Sequence, residues 1–248
     1  MKAIFMGTNG WYSSVTGNTV SILIETENFN LILDAGDGIH KIDTYINNSK
    51  PIVILLSHLH LDHIIGFHSF AKLQFPQKID VIGYKGIKKG LYRIIKHPYS
   101  SPFNTLPLNI EFHDVGEGYH NFGFPFECRL LEHVDPTLGF KIEVDEKIIT
   151  YCTDTGICDN LYVLAENADL LITECSYKPG QEEWGWLHLK PEESAEIAKK
   201  SNVNKLILTH FDASYYKTIE DREIAGKKAK AIFPNTFIAR DGFEIIIE

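Results

Sequence analysis

The sequence predicts a mixed α/β sandwich, with two β-sheets flanked by helices (αββα), in one domain spanning residues 1–248. Three observations carry that prediction. Short apolar, β-branched runs separated by polar turns recur along the chain, and each reads as a strand. Only a few segments have helical spacing. No linker-like stretch and no short repeat divides the sequence. A chain of 248 residues can bury a substantial core, and 44% apolar with 23% charged residues is an ordinary globular balance.

The elements follow in order. Met1 to Gly7 enters a strand directly, without the apolar core or cleavage site of a signal peptide. Val20–Glu25 and Phe29–Leu33 flank a short polar turn, which predicts a hairpin. Ile52–Leu56 is continuously apolar, as a strand buried on both faces would be. Helices are predicted over 64–73 and 86–96, and residues 97–107, with three prolines, form a surface excursion. Phe140–Val144 and Lys147–Thr153 flank Asp145-Glu146 as a second hairpin. Leu170–Thr173 and Leu206–Thr209 are short buried strands. Pro191–Lys200 opens with Pro and two Glu, which suits the positive end of a helix dipole. Glu220–Ala231 is amphipathic. Finally, Phe237–Ala239 and Phe243–Ile247 surround Asp241-Gly242, a hairpin turn signal.

The formal net charge of −9 argues against non-specific nucleic-acid binding. The local exception is Lys85, Lys88, Lys89, Arg93 and Lys96, which share one helix face, either simply solvated or in contact with substrate. The longest apolar run is far too short to span a bilayer, so a cytoplasmic protein without membrane contact is expected. Cys128, Cys152, Cys158 and Cys175 form no CxxC pair and read as reduced thiols. Cys175 stands out only through its neighbours.

Chemistry concentrates in His58-Leu59-His60-Leu61-Asp62-His63. Three histidines in six residues are a clear excess over 11 in the whole chain. In extended chain His58 and His60 project to one side, and Asp62 and His63, where the chain turns, aim at a second point nearby. Imidazole with carboxylate suits Zn²⁺, or Mn²⁺ or Fe²⁺. Six residues cannot close two metal sites. Other ligand-type residues stand at strand ends: His133, Asp154 and His210.

This order, HxHxDH followed by a His, an Asp and a His at strand ends, resembles the metallo-β-lactamase superfamily over essentially the whole chain. Leu33-Asp34-Ala35-Gly36-Asp37-Gly38 resembles the family's early Asp-x-Gly element, which buttresses the metal loop. Asp241-Gly242 resembles its C-terminal hairpin. The resemblance implies one metal on His58, His60 and His133, a second on Asp62, His63 and His210, and Asp154 bridging them. It also implies a hydroxide nucleophile between the metals and a homodimeric assembly.

Within the family, the segment from Ala168 to Ser176, which contains Glu174, resembles the part of ribonuclease Z that carries its His-Glu-Ala-Thr motif. His188, followed by Pro191-Glu192-Glu193 and by Leu208-Thr209-His210, resembles the region of its His-Ser-Thr motif. By that match His188 protonates the leaving group or contacts the phosphate, and Glu174 orients it. Asp62, His188 and Glu174 are thus the catalytic candidates. Thr173 and Leu189-Lys190 depart from both motifs. Only 20 residues separate His133 from Asp154, too few for the tRNA-gripping arm that ribonuclease Z carries there. The expectation is a dinuclear metal-dependent phosphodiesterase acting on a small or cyclic phosphodiester. The alternatives are a tRNA 3′-end endonuclease, a lactonase or other ester hydrolase, and an inactive scaffold. Trp184 and Trp186, just before His188, are candidates to line a pocket or an interface.

Overall fold

A computed structural model describes residues 1–182 and 185–248. The chain begins with β1 (Lys2–Gly7), the two-residue β2 (Asn9–Gly10), β3 (Ser21–Glu25) and β4 (Asn30–Leu33). After α1 (Ile42–Tyr45) come β5 (Ile52–Leu55), α2 (Leu61–Ile64), β6 (Ile79–Tyr84), α3 (Ile87–Ile94) and β7 (Ile110–Val115). The second half opens with β8 (Gly118–Asn121), β9 (Pro125–Leu131), β10 (Thr137–Val144) and β11 (Lys147–Cys152). It continues through α4 (Asp159–Ala165), β12 (Leu170–Glu174), α5 (Pro191–Lys200), β13 (Lys205–Thr209) and β14 (Phe211–Asp212). It ends with α6 (Ile219–Ile232), β15 (Thr236–Ile238) and β16 (Phe243–Ile246).

Among the described residues these strands form two seven-stranded sheets, ordered β16-β1-β3-β4-β5-β6-β7 and β15-β13-β12-β11-β10-β9-β8, and a separate parallel pair, β14-β2. Three cores hold the layers together. The central one joins the two sheets through residues such as Phe5, Ile22, Leu55, Phe126, Phe140 and Ile172. An outer core packs Ile39, Phe67, Phe70 and Leu91 on the first sheet, and another packs Leu161, Ala195 and Ala225 on the second. The predicted αββα sandwich is the observed fold. β5 and β12 are buried at every residue, as expected of short buried strands.

The direction of the strands positions the site. β4 and β5 run parallel, as do β11, β12 and β13. β9 pairs antiparallel with β10, and β10 with β11, so β9 points the same way as β11. The C-terminal ends of β9, β11, β12 and β13 therefore open on one edge of the second sheet, where ligands of α/β sheets gather.

Two expectations need correcting. The helix after the histidine cluster starts at Leu61 as a single α-turn and continues from Ile65 to Lys72 as a 3₁₀ helix, because the cluster itself makes the turn. The strands around Asp241-Gly242 do not form a hairpin: β15 pairs with β13 in the second sheet and β16 with β1 in the first. Asp241 serves a different purpose. Its carboxylate accepts from Thr8 Oγ1 (2.9 Å), the Asn18 amide (2.9 Å) and Lys41 Nζ (2.7 Å), pinning the crossing between sheets.

Candidate metal centre and catalytic site

β5 delivers the cluster. Leu55 and Leu56 are buried apolar residues. Beyond them His58, His60 and His63 turn inward, and their rings pack with centroids 4.4 Å (His58–His60) and 4.2 Å (His58–His63) apart. His133 at the end of β9 joins them, 5.2 Å from His58 and 5.1 Å from His60. Asp154 follows β11 and His210 follows β13. The seven residues expected to be ligands converge as two donor groups, His58, His60, His133 and Asp154 in one and Asp62, His63 and His210 in the other.

The second group has the spacing of a coordination shell. His63 Nε2 lies 3.1 Å from His210 Nε2, 3.1 Å from Asp154 Oδ2 and 3.5 Å from Asp62 Oδ2. His210 Nε2 lies 3.2 Å from Asp154 Oδ2 and 3.3 Å from Asp62 Oδ2. A tetrahedral ion about 2.0–2.1 Å from each donor would hold them about 3.3–3.4 Å apart. In the first group, among the described residues, His58 Nε2 and His133 Nδ1 are buried with no hydrogen-bond partner. A buried polar nitrogen left unpaired is costly, and a cation in the cluster would satisfy it. The donor set and its spacing fit a pair of divalent ions.

Neighbouring side chains fix which ring nitrogen faces the centre. Asp34 Oδ2 is 2.7 Å from His63 Nδ1, Ser57 Oγ is 3.0 Å from His58 Nδ1, and Ser176 Oγ is 3.1 Å from His210 Nδ1. Each leaves Nε2 pointing inward, the usual role of an outer hydrogen bond in a metal site. Asp34 also accepts from the Ser57 amide, Ser57 Oγ and Tyr151 Oη, all within 2.8 Å, which gives the expected buttress its geometry. Asp135 Oδ2 lies 2.9 Å from His60 Nε2.

The backbone is forced here as well. Trp11, Asp34, Asp154 and His210 all have positive φ, between 48° and 68°. For Asp and His this is tolerated, but for Trp it is uncommon and marks a site where surrounding contacts overdetermine the chain. Gly10 must be glycine, because a Cβ there would lie 2.5 Å from the His210 ring.

The electrostatics divide the imidazoles. Burial and the neighbouring His63 push His58 well below the ordinary imidazole range, and burial also lowers His133. For His63 and His210, burial opposes the charge but is outweighed by Asp154, with Asp62 contributing to both, so both are raised. Burial works against the charge of Asp62 too, yet His63 and His210 hold its carboxyl below the usual range.

Beside this centre, His188 Nδ1 lies 3.0 Å from both carboxylate oxygens of the fully buried Glu174. Glu174 is fixed by the Thr155 amide (2.6 Å) and the Ser176 amide (3.3 Å). The His188 ring is 5.8 Å from that of His133 and 6.2 Å from that of His210. Burial disfavours the His188 cation, but the charge and hydrogen bond of Glu174 prevail and push it up to about 9. The expected pair is thus brought together at the rim of the donor cluster.

Other candidates fall elsewhere. Lys85, Lys88, Lys89, Arg93 and Lys96 are exposed on and around α3 and, among the described residues, make no ion pair. The helix abuts the metal loop, since a Cβ on Gly90 would lie 2.4 Å from Leu59 Cδ1. Trp186 is half-exposed, and its carbonyl accepts from Tyr177 Oη at 2.8 Å. Trp184 lies outside the described residues. Cys175 is buried against Tyr216, its thiol pushed up by burial, and all four cysteines are free. A further acidic group, Asp80, Glu111 and His113 on β6 and β7, already holds Lys78, at 2.9 Å and 2.7 Å from the two carboxylates. Sequence reasoning missed Ser57, Ser176 and Tyr151, whose polar groups look unremarkable until the fold brings them to the rings. It also missed the Trp11 amide, which donates to Asp62 Oδ2 at 2.7 Å.

Residues 30–211 match the model of the β-lactamase superfamily domain. The chain belongs to the β-lactamase superfamily. It is a metal-dependent hydrolase of that superfamily, with two donor groups able to hold metal ions. Among its relatives, ribonuclease Z of Bacillus licheniformis is 27% identical, with 98% of each chain covered. A probable metallo-hydrolase of Bacillus subtilis, YhfI, is 24% identical, again with 98% of each covered. Two solved structures share the fold. The YhfI crystal structure superposes with a TM-score of 0.79 at 22% identity, covering 98% of both chains. The short form of human tRNase Z gives 0.78 at 21%, covering all of both. No helix among the described residues is long and apolar enough to cross a membrane.

Proposed function

We propose that the chain is a dinuclear metal-dependent phosphodiesterase acting on a small or cyclic phosphodiester. The observation that carries this reading is the Glu174–His188 pair at the edge of the donor cluster. Hydrolysis of a carboxylic ester or lactone on the same metals does not need a second, protonated imidazole there. Departure of an alkoxide from a phosphate does.

His58, His60 and His133 would hold one ion and Asp62, His63 and His210 the other, with Asp154 between them. Zn²⁺ is the ion favoured by the nitrogen-rich donors and their tetrahedral spacing, with Mn²⁺ and Fe²⁺ the other candidates. Held there, two such cations would lower the pKa of bound water and neutralise charge on the phosphate. The ionised Asp62 carboxylate, steadied by the Trp11 amide, orients the attacking water. His188, a cation at neutral pH, donates a proton to the leaving oxygen, and Glu174 holds its ring for that transfer.

A small substrate is favoured by size and charge. The alignment with ribonuclease Z runs over 307 positions, well beyond the 248 residues present, whereas that with YhfI runs over 252. The interval from His133 to Asp154 is filled by the tight β10–β11 hairpin. A tRNA 3′-end endonuclease remains the second reading, since several similar proteins carry the name ribonuclease Z. An inactive scaffold is disfavoured by a complete donor set.

The test is metal analysis followed by a panel of linear and cyclic phosphodiesters, bis(p-nitrophenyl) phosphate and a precursor tRNA. Close to two ions per chain and turnover of small diesters are expected. A protein that takes up no Zn²⁺ or Mn²⁺ would sink the reading, and cleavage of the tRNA alone would transfer it to the endonuclease.

A further inference from the structure

The loop between β2 and β3 is built with unusual care for a surface feature. Asn9 is fully buried, and its Nδ2 donates to the Tyr12 carbonyl (3.1 Å), Ser14 Oγ (3.0 Å) and the Gly17 carbonyl (2.9 Å). Its Oδ1 accepts from Thr16 Oγ1 and from Nη2 of Arg222. Arg222 is itself buried, donates to Thr8 Oγ1 at 2.9 Å, and lies 4.6 Å over the Phe211 ring. The loop held by this polar structure exposes Trp11, Tyr12 and Val15. Trp11 is 66% exposed, and Tyr12 braces it at 5.3 Å and 71°. Its backbone takes the left-handed conformation, φ 68°, which a bulky residue adopts only under compulsion. That conformation aims the Trp11 amide at Asp62 Oδ2, 2.7 Å away.

Most of the indole stays in water, so folding alone accounts for little of it. Its residue is tied to the site through the backbone, the Trp11 amide donating to the candidate ligand Asp62, and residues 11–17 of the loop carry no charge. A flat, neutral ring near a phosphate site offers a stacking face, for which a planar nucleobase is a better partner than a sugar ring or an inorganic diester. Resting on the phosphodiesterase reading, we propose that Trp11 is a specificity-determining residue whose indole stacks on a nucleobase carried by the substrate. The substrate class is then a nucleoside phosphodiester.

The probes are adenosine 5′-monophosphate and ribose 5-phosphate, titrated calorimetrically into the Zn²⁺-loaded protein and into Trp11→Asn and Trp11→Phe. Asn tolerates the left-handed backbone, so the amide contact to Asp62 survives while the ring is lost. The native protein should bind the nucleotide about tenfold more tightly than the sugar phosphate, as a single stacked base implies. Trp11→Asn should bring the two affinities together with metal content unchanged, and Trp11→Phe should keep most of the preference. Equal affinities in the native protein, or a preference that survives Trp11→Asn, would overturn the stacking role and leave the phosphodiester reading intact. Failure of both phosphates to bind the loaded protein would overturn both. A dimer that Trp11→Asn turns into monomer, with the nucleotide preference retained, would assign the indole to a subunit contact instead.

Discussion

The two halves of the molecule supply the site in different ways. The first contributes His58, His60, Asp62 and His63 from one contiguous stretch after β5, the loop and the helical turn α2, so local backbone geometry alone sets their spacing. The second contributes His133, Asp154, Glu174 and His210 from four strand ends and His188 from the loop before α5. Their spacing depends on sheet register. Cys152 pairs with Thr173 and Glu174 with Thr209, which places Asp154, Glu174 and His210 within two residues of one line across the sheet. A one-residue slip would turn each to the opposite face. A contiguous cluster is robust to distant change, and a dispersed one inherits the accuracy of the whole sheet.

Removing one candidate ligand from each half is the severest trial of this contrast. His60→Ala and His210→Ala should each reduce hydrolysis of bis(p-nitrophenyl) phosphate to background and lower the metal content. Full retention of both ions in either variant would show that its half is dispensable. Next in size is His188→Ala, expected to lower kcat by about 10²-fold, the contribution of a positioned acid, with metal content unchanged. The pH profile adds a sign. His188 is raised to about 9, so the proton it donates is present below that pH and the rate falls as pH rises through it. In Glu174→Gln the descending limb should move to lower pH, because the charge that raises His188 is gone. An unmoved limb would remove Glu174 from the role assigned to it. Smallest is Asp34→Asn, which touches only the support of the contiguous loop. Metal affinity should drop by about 10–100-fold, as when an outer partner of a ligating imidazole is removed. Equilibrium dialysis against Zn²⁺ measures it, and unchanged affinity would make the Asp34–His63 contact merely structural.

The same contrast explains what could be read before the fold was seen. His58 to His63 announced itself, because three imidazoles and a carboxylate in six residues need no tertiary structure to be improbable. β5 was legible for the related reason that a strand buried on both faces must be apolar throughout. His133, Asp154 and His210 are single residues, each unremarkable alone, and their grouping came from order along the chain and family resemblance. The Asp241-Gly242 turn misled because a tight turn fixes only the local backbone, whereas the partner of each flanking strand is chosen by exposed sheet edges far away in sequence. Ser57, Ser176 and the Trp11 amide carried no signal, since a serine or a backbone N–H becomes an outer ligand only through its neighbours.

That crossing at Asp241 has a consequence for how the molecule is made. β15 completes the edge of one sheet, and β16, five residues later, covers β1 at the edge of the other. The β1–β16 ladder joins Lys2 to Ile246, almost the greatest sequence separation this chain allows. During synthesis β1 waits as an open edge, a template for foreign strands, until β16 emerges. Closure of the first sheet is therefore a late, long-range event of the kind that slows β-rich folding. The Lys2–Glu25 pair (3.2 Å) puts charge on that edge, one of the devices by which unpaired strands are kept from neighbouring chains.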